Sequence, residues 1–246
     1  MVLALDEGQD PEPVKLSCHM VENLGLYGKL AGLPLFVGMS REELHQVVAV
    51  TKFDFRKYMP EEVIAREGEP CGRLILLVDG EIAIETQADD RGYAVHETAT
   101  APLVLQPECA FGLTQRFNHT FIAQSACNLI HIDKNETLRL TSDSLIFRLN
   151  LLNLISTALQ KRQRDAWHSV PHDLNQRICR FFVSHCMHPG GRKMFKIKMV
   201  RLAAEVNDNR LYVSRALNAM QSAHLLRLSR GMVEIPSIEK LIAGYR

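Results

Sequence analysis

The chain has 246 residues, enough for one large domain or two ordinary ones, and its balance of 46% hydrophobic and 23% charged residues sets aside fibrous and disordered classes. Six cysteines are too few for a disulfide scaffold, and the opening residues Asp6, Glu7, Asp10 and Glu12 are the reverse of a basic secretory leader, so a cytoplasmic protein is expected. The richest apolar stretch, Leu145 to Leu159, is interrupted by Arg148, Asn150 and Asn153 and is too short to cross a bilayer, so no membrane partner is expected.

The formal net charge of +1 hides an asymmetry. Residues 1–133 carry 10 Lys and Arg against 20 Asp and Glu, a net −10, whereas residues 134–246 carry 19 against 8, a net +11. An acidic half joined to a basic half points to a polyanion as the partner of the second half alone, with nucleic acid the first candidate. Chance segregation of solvated charge is the competing reading.

Residues 1–32 read as an N-terminal segment, partly disordered, because the stretch to Pro13 is acidic and rich in turn formers. Ser40-Arg41-Glu42-Glu43 has the form of a capping box and predicts a short helix through Val50. From Phe53 the pattern becomes short runs: Phe53 to Tyr58, Val63 to Arg66, Leu74 to Val78, Glu81 to Thr86, Tyr93 to Thr98, Pro102 to Leu105, Phe121 to Ser125 and Asn128 to Ile132. Asp79-Gly80 and Asp89-Asp90-Arg91-Gly92 punctuate them as hairpin turns do. Such spacing over residues 33–133 predicts a small antiparallel barrel, roll or sandwich.

Residues 134–165 lengthen the period. Leu145, Leu149, Leu152, Ile155 and Leu159 form one apolar seam, and Phe147, Leu151 and Leu154 form a second flank. A long helix with two such flanks can cover its own barrel with one and meet a second copy in a parallel homodimer with the other; a helix merely lying on the barrel is the alternative. Ala166 to Pro171 breaks the pattern and marks a domain boundary. Residues 166–246 carry 13 basic and 5 acidic residues, a net +8. Helical stretches at Asp173 to Cys186, Met199 to Val206 and Arg210 to Ser222 precede two short runs around Arg230-Gly231, the layout of a winged helix-turn-helix in an α+β protein.

Function concentrates between Met199 and Gln221. Leu202, Ala203 and Val206 give a first helix its inward face, Asn207-Asp208 suits a tight turn, and Asn209 can cap the next helix. In that second helix Val213, Ala216, Leu217 and Met220 make a buried stripe. Leu211, Ser214, Arg215 and Asn218 fall on the opposite face, with Arg210 at the exposed start. Arg can contact guanine bidentately, Asn can do so with adenine, and Leu211 can touch a thymine methyl in the major groove of double-stranded DNA. Lys196, Lys198, Arg201, Arg227 and Arg230 are candidates for phosphate contacts. A merely solvated outer face is the plainer alternative.

From Leu33 to the C-terminus the chain resembles the cyclic-AMP receptor protein / fumarate-nitrate regulator (CRP/FNR) family of bacterial transcription regulators. The resemblance rests on Leu33-Pro34-Leu35-Phe36, Met39 to Leu44, Glu67-Gly68-Glu69-Pro70, Leu74 to Ile84, the long seam and Asn209 to Arg215, in that order. It implies a cyclic-nucleotide-binding-like β-roll (a double-stranded jelly roll), a dimerisation helix and a winged helix-turn-helix. A homodimer would read a two-fold symmetric site, with RNA polymerase as a further partner of an activator. The resemblance also places a candidate effector pocket at Phe111, Gly112, Arg116, His119 and Thr120. Members that bind cyclic AMP hold the ribose with Gly-Glu and the phosphate with Arg-Ser or Arg-Thr. Here no Glu follows Gly112, and Asn118-His119 stands where the Arg pair would be. Losing a charge-assisted bidentate contact predicts no tight cyclic-AMP binding, leaving an unidentified effector or none. Leu211 replaces an acidic residue common in the recognition helix, so the family's usual half-site is not assumed.

Cys18 stands alone near the N-terminus, which excludes a four-thiolate iron–sulfur cluster there, and His185-Cys186-Met187-His188 lacks paired metal-ligand spacing, so no metal or other cofactor is expected. No phosphate-cradling glycine loop, nucleophile elbow or H-E-x-x-H is present, and no enzyme is expected. The second functional reading is a roll that binds an effector or a partner, with the basic domain only a tether.

Overall fold

The computed structural model describes residues 27–167, 169–188 and 190–245. The expected disorder up to Pro13 lies outside the described residues; within the N-terminal segment, residues 27–32 are helical. This turn and the loop after it bury Leu30, Leu33, Leu35 and Phe36 completely. Helix α1 (Arg41–Val50) begins at a full capping box, Glu43 N donating to Ser40 Oγ (3.2 Å) and Ser40 N to Glu43 Oε2 (2.7 Å).

Eight strands follow: β1 (Phe53–Tyr58), β2 (Val63–Ala65), β3 (Arg73–Asp79), β4 (Glu81–Gln87), β5 (Tyr93–Thr100), β6 (Leu103–Leu105), β7 (Thr120–Ala123) and β8 (Cys127–Asp133). They split between a sheet of order β1-β8-β3-β6 and the part of a second sheet that runs β5-β4-β7-β2, all antiparallel. Alternation explains β4, where Ile82 and Ile84 point inward and Glu81, Ala83 and Glu85 do not. In β3, by contrast, Leu74 to Leu77 are all buried, because one face lines the roll and the other is covered. Gly80 joins β3 to β4 at φ +106°, where a side chain's Cβ would stand 2.6 Å from Cys127 Sγ and 2.9 Å from the Ala126 carbonyl. Glycine is required there both by backbone conformation and by space.

Helix α2 (Lys134–Asp143) lies near β8 and β3, and α3 (Leu145–Trp167) follows directly. The single helix expected over 134–165 is thus two. The break is Ser144, extended at φ −120° and ψ 113°, whose Oγ accepts from Phe147 N (3.3 Å) and so starts the second helix. The apolar period runs on across a serine whose side chain competes for the backbone, so periodicity did not reveal the stop.

Beyond α3 come α4 (Leu174–Ser184), β9 (Lys193–Ile197), α5 (Met199–Glu205), α6 (Arg210–Ser222), β10 (Arg227–Ser229), β11 (Met232–Ile235) and α7 (Ile238–Gly244). Neither β9 nor α7 was expected from the sequence. These elements surround a second core that includes Ile178, Phe182, Phe195, Leu202, Val213, Leu217, Val233 and Leu241. Strand β9 joins β11 on one side and β5 on the other, so the second sheet has the order β10-β11-β9-β5-β4-β7-β2. No helix among the described residues is long and apolar enough to cross a membrane.

Candidate functional site

Two places gather chemistry. The first is the helix pair α5 and α6. Helix α5 buries Leu202 and Ala203, and the chain turns through Val206 to Asn209 with Asn207 left-handed at φ +49°, a conformation asparagine tolerates. Arg177 of α4 fastens this turn: its guanidinium donates to the Val206 carbonyl (3.0 Å) and the His172 carbonyl (2.7 Å) and pairs with the Asp208 carboxylate. Asn209 Oδ1 accepts from Leu211 N (2.8 Å), capping α6.

Helix α6 then presents two faces. Val213, Leu217 and Met220 are completely buried and Ala216 is half-buried. Arg210, Leu211, Arg215 and Asn218 are exposed, Leu211 at 56%, while Ser214 is half-buried and Asn218 Nδ2 donates to the Ser214 carbonyl (2.9 Å). Tyr212 is also 56% exposed and Val200 64%, two large groups at the surface of α6 and α5 that the opposite-face reading passed over. A helical wheel places Tyr212 at the flank rather than the centre of the outer face, which is why it was missed. Asn209, Lys196, Lys198, Arg227 and Arg230 are exposed. Arg201 departs from expectation: rather than facing outward unengaged, it pairs with Asp90 (2.8 Å) and Glu205 (2.7 Å).

The second place is the inside of the roll beside α3. Gln106 is left-handed at φ +38° and 2% exposed; its Oε1 accepts from Asn118 N (3.1 Å), and its Nε2 has no partner among the described residues. His119, 7% exposed, shares a hydrogen bond between Nδ1 and Thr86 Oγ1 (2.7 Å) and leaves Nε2 unpartnered. Burial pushes the His119 ring down to about 4, so it is neutral at pH 7. Of the five residues expected to form a pocket, only His119 is buried. Arg116 is exposed and donates to the Gly68 carbonyl (2.6 Å), Gly112 is exposed, the Phe111 ring lies under Lys134 Nζ at 5.2 Å, and Thr120 Oγ1 accepts from Glu67 N (3.1 Å). Thr86, which the sequence did not single out, is the hydrogen-bond partner of His119, and Gln106, equally unmarked, accepts from Asn118, the residue before it. An open cleft of about 850 Å³ along β1 and β2, lined by residues such as Asp54, Arg56, Glu62 and Arg66, includes neither Gln106 nor His119.

Along α3, Leu145, Leu149, Leu152 and Leu159 are each about half exposed, and Phe147 and Leu151 are buried against the roll. Ile155 is the exception in the expected seam, since it is half-buried against the roll's core. Burial raises the thiols, Cys71 to about 11 and Cys186 to about 12, so both stay protonated. No group of three His, Cys, Asp or Glu side chains among the described residues is arranged to hold a metal ion.

Residues 55–144 match the family model described as "Cyclic nucleotide-binding domain". No curated protein matches the chain. Among solved structures, the Thermus thermophilus catabolite activator protein is similar at 19% identity and a TM-score of 0.46, over 87% of this chain and 100% of that one. The c-di-GMP-responsive global regulator CLP of Xanthomonas campestris aligns at 18% identity and a TM-score of 0.48, over 78% of this chain and 97% of that one. The sensor domain of the transcriptional regulator DNR from Pseudomonas aeruginosa aligns at 22% identity and a TM-score of 0.49, over 59% of this chain and 95% of that one.

Proposed function

We propose that this chain, whose residues 55–144 match the cyclic nucleotide-binding domain, is a DNA-binding transcription regulator of the CRP/FNR type. The observation that carries the reading is the outer face of α6. Arg210, Leu211, Arg215 and Asn218 stand exposed on a helix whose other side buries Val213, Leu217 and Met220 and whose start is held by a capped turn. A helix so mounted can enter the major groove and offer a guanine contact, an adenine contact and an apolar contact to a thymine methyl. In this reading α5, α6, β10 and β11 are a winged helix-turn-helix, Lys198 and Arg230 meet phosphates, and two copies pair along α3.

The roll then serves as the sensor. Neutral His119 and the unpartnered Gln106 Nε2 suit a small hydrogen-bonding ligand better than a phosphate, which supports the expectation of no tight cyclic-nucleotide binding. Selection of bound fragments from random DNA, at fixed salt and without added ligand, tests the function. The expected result is enrichment of a two-fold symmetric site, lost by Arg210→Ala with Arg215→Ala. Weak binding without sequence preference, unchanged by those substitutions, overturns it and favours a roll that works without reading DNA.

A further inference from the structure

The second sheet does not end at the edge of the roll. Strand β9 pairs antiparallel with β5 over five residues, from Tyr93 opposite Ile197 to Glu97 opposite Lys193, and β11 and β10 continue beyond it. Val95 of β5 is 1% exposed and belongs to the core of the C-terminal unit, and the Tyr93 ring meets Phe181 at 5.6 Å and His185 at 5.4 Å. In the other direction Met187 rests against the core of the roll.

One end of this junction is closed by a buried carboxylate. The side chains of Glu97 and Lys193 are both fully buried, with Lys193 Nζ 2.8 Å from Glu97 Oε2. Glu97 also accepts from Met187 N (2.7 Å) and His188 N (3.1 Å), so three donors from the C-terminal unit converge on a single side chain of the roll. A buried ion pair adds little net stability but penalises every alternative register, because a slipped strand leaves a buried charge alone. The other end is closed by the turn between β4 and β5. Asp90 there pairs with Arg201 of α5 at 2.8 Å, and the Arg201 guanidinium lies 5.8 Å from the Tyr93 ring centre. The acidic roll thus places a carboxylate on a basic residue of the helix next to the reading helix. The junction is also one strand away from the unpartnered ring: His119 bonds Thr86 of β4, and Thr86 stands opposite Val95 of β5.

We infer that the β5–β9 junction, fastened by Glu97 and Asp90, is an autoinhibitory latch that holds the C-terminal unit against the roll and weakens its hold on DNA. The inference rests on the DNA-binding function proposed above. In the latched form Arg201 is spent on Asp90 and Glu205, and the aspartates of the turn bring negative charge against α5. Opening the junction leaves Arg201 with Glu205 of its own helix alone and removes the negative charge of the turn.

The test locks the latch in the full chain. Ala94 and Lys196 are opposed across the junction, so Ala94→Cys with Lys196→Cys places two thiols for a cross-strand disulfide, formed with diamide and reversed with dithiothreitol. Binding to the selected DNA site is compared between the two forms of this one variant, with the unsubstituted protein carried through the same treatments. The reduced form is expected to bind about tenfold or more tightly than the oxidised form, while the unsubstituted protein is unaffected. Equal binding by both forms overturns the latch and leaves the function standing; unsubstituted protein that selects no site overturns the function and the latch with it. Hydrogen exchange gives a second reading that needs no DNA. Glu97→Gln should speed exchange of the amides shared by β5 and β9 about tenfold while those of α6 keep their protection. Unchanged exchange at β5 and β9 removes Glu97 from the device.

Discussion

His131 of β8 is 5% exposed, lies over the Tyr58 ring with centroids 6.4 Å apart, and has no partner at Nε2 among the described residues. Burial pushes it down to about 4, as it does His119, whereas an unfolded histidine titrates near 6.5. The folded form therefore keeps both rings neutral while the unfolded chain takes up protons. Their contribution is complete above pH 6.5 and is lost as the pH falls toward 4. Between pH 7 and 5 each ring should cost about 2 kcal/mol of stability. Carboxylates with lowered values, such as Asp79 beside Lys29, act in the same direction but at lower pH, so the window between 7 and 5 isolates the histidines. Denaturant unfolding at those two pH values should show His131→Phe, which keeps a ring against Tyr58, losing about 2 kcal/mol less than the unsubstituted protein on acidification. An identical loss in both proteins would refute the assignment.

At the scale of elements, α3 carries the argument about assembly. Phe147 and Leu151 fasten it to the roll, so the exposed Leu149 and Leu152 can be changed without removing that anchor. If the exposed flank is the homodimer seam, Leu149→Asp with Leu152→Asp brings like charges together where two copies meet, and light scattering should show the mass halving while far-ultraviolet circular dichroism is unchanged. A dimer that survives the double change would place the seam elsewhere. The same helix shows what a sequence reveals of a fold. Its apolar period was legible, and so were the eight strands of the roll and α6 from Arg210 to Ser222, because each is marked locally by alternation, a 3.6-residue period or a cap. Strand β9 was not. Lys193-Met194-Phe195-Lys196-Ile197 reads as a basic lead-in to the helix pair, and its partner β5 lies about a hundred residues away, beyond any local signal. Glu97 was missed for the same reason, since nothing in its neighbourhood announces that Lys193 will be buried against it. Position in a motif singled out Arg116, which belongs to an outer turn with Gly68, whereas Gln106, which no motif marks, is the buried group that accepts from Asn118.

For the whole molecule, a formal charge of +1 would suggest indifference to salt, yet it is the sum of −10 over residues 1–133 and +11 over residues 134–246, and only the basic stretch carries the proposed reading face. Binding to duplex DNA releases counterions in proportion to the phosphates neutralised, whatever the sign of charges elsewhere in the protein. The logarithm of affinity for the selected site should therefore fall steeply and linearly with the logarithm of salt concentration, despite a near-neutral chain. Lys198, at the start of α5, and Arg230, in the turn between β10 and β11, are exposed, so Lys198→Ala and Arg230→Ala should each reduce that slope by about one per protomer and weaken all sequences alike. Leu211→Ala should leave the slope as it is and alter which bases are selected, because an apolar side chain neutralises no phosphate but does fit a thymine methyl. Binding isotherms at four or five salt concentrations separate these effects. A slope unmoved by either basic substitution would take Lys198 and Arg230 off the phosphate path, whereas a slope changed by Leu211→Ala would mean that the substitution shifts the docking of the whole unit rather than one base contact.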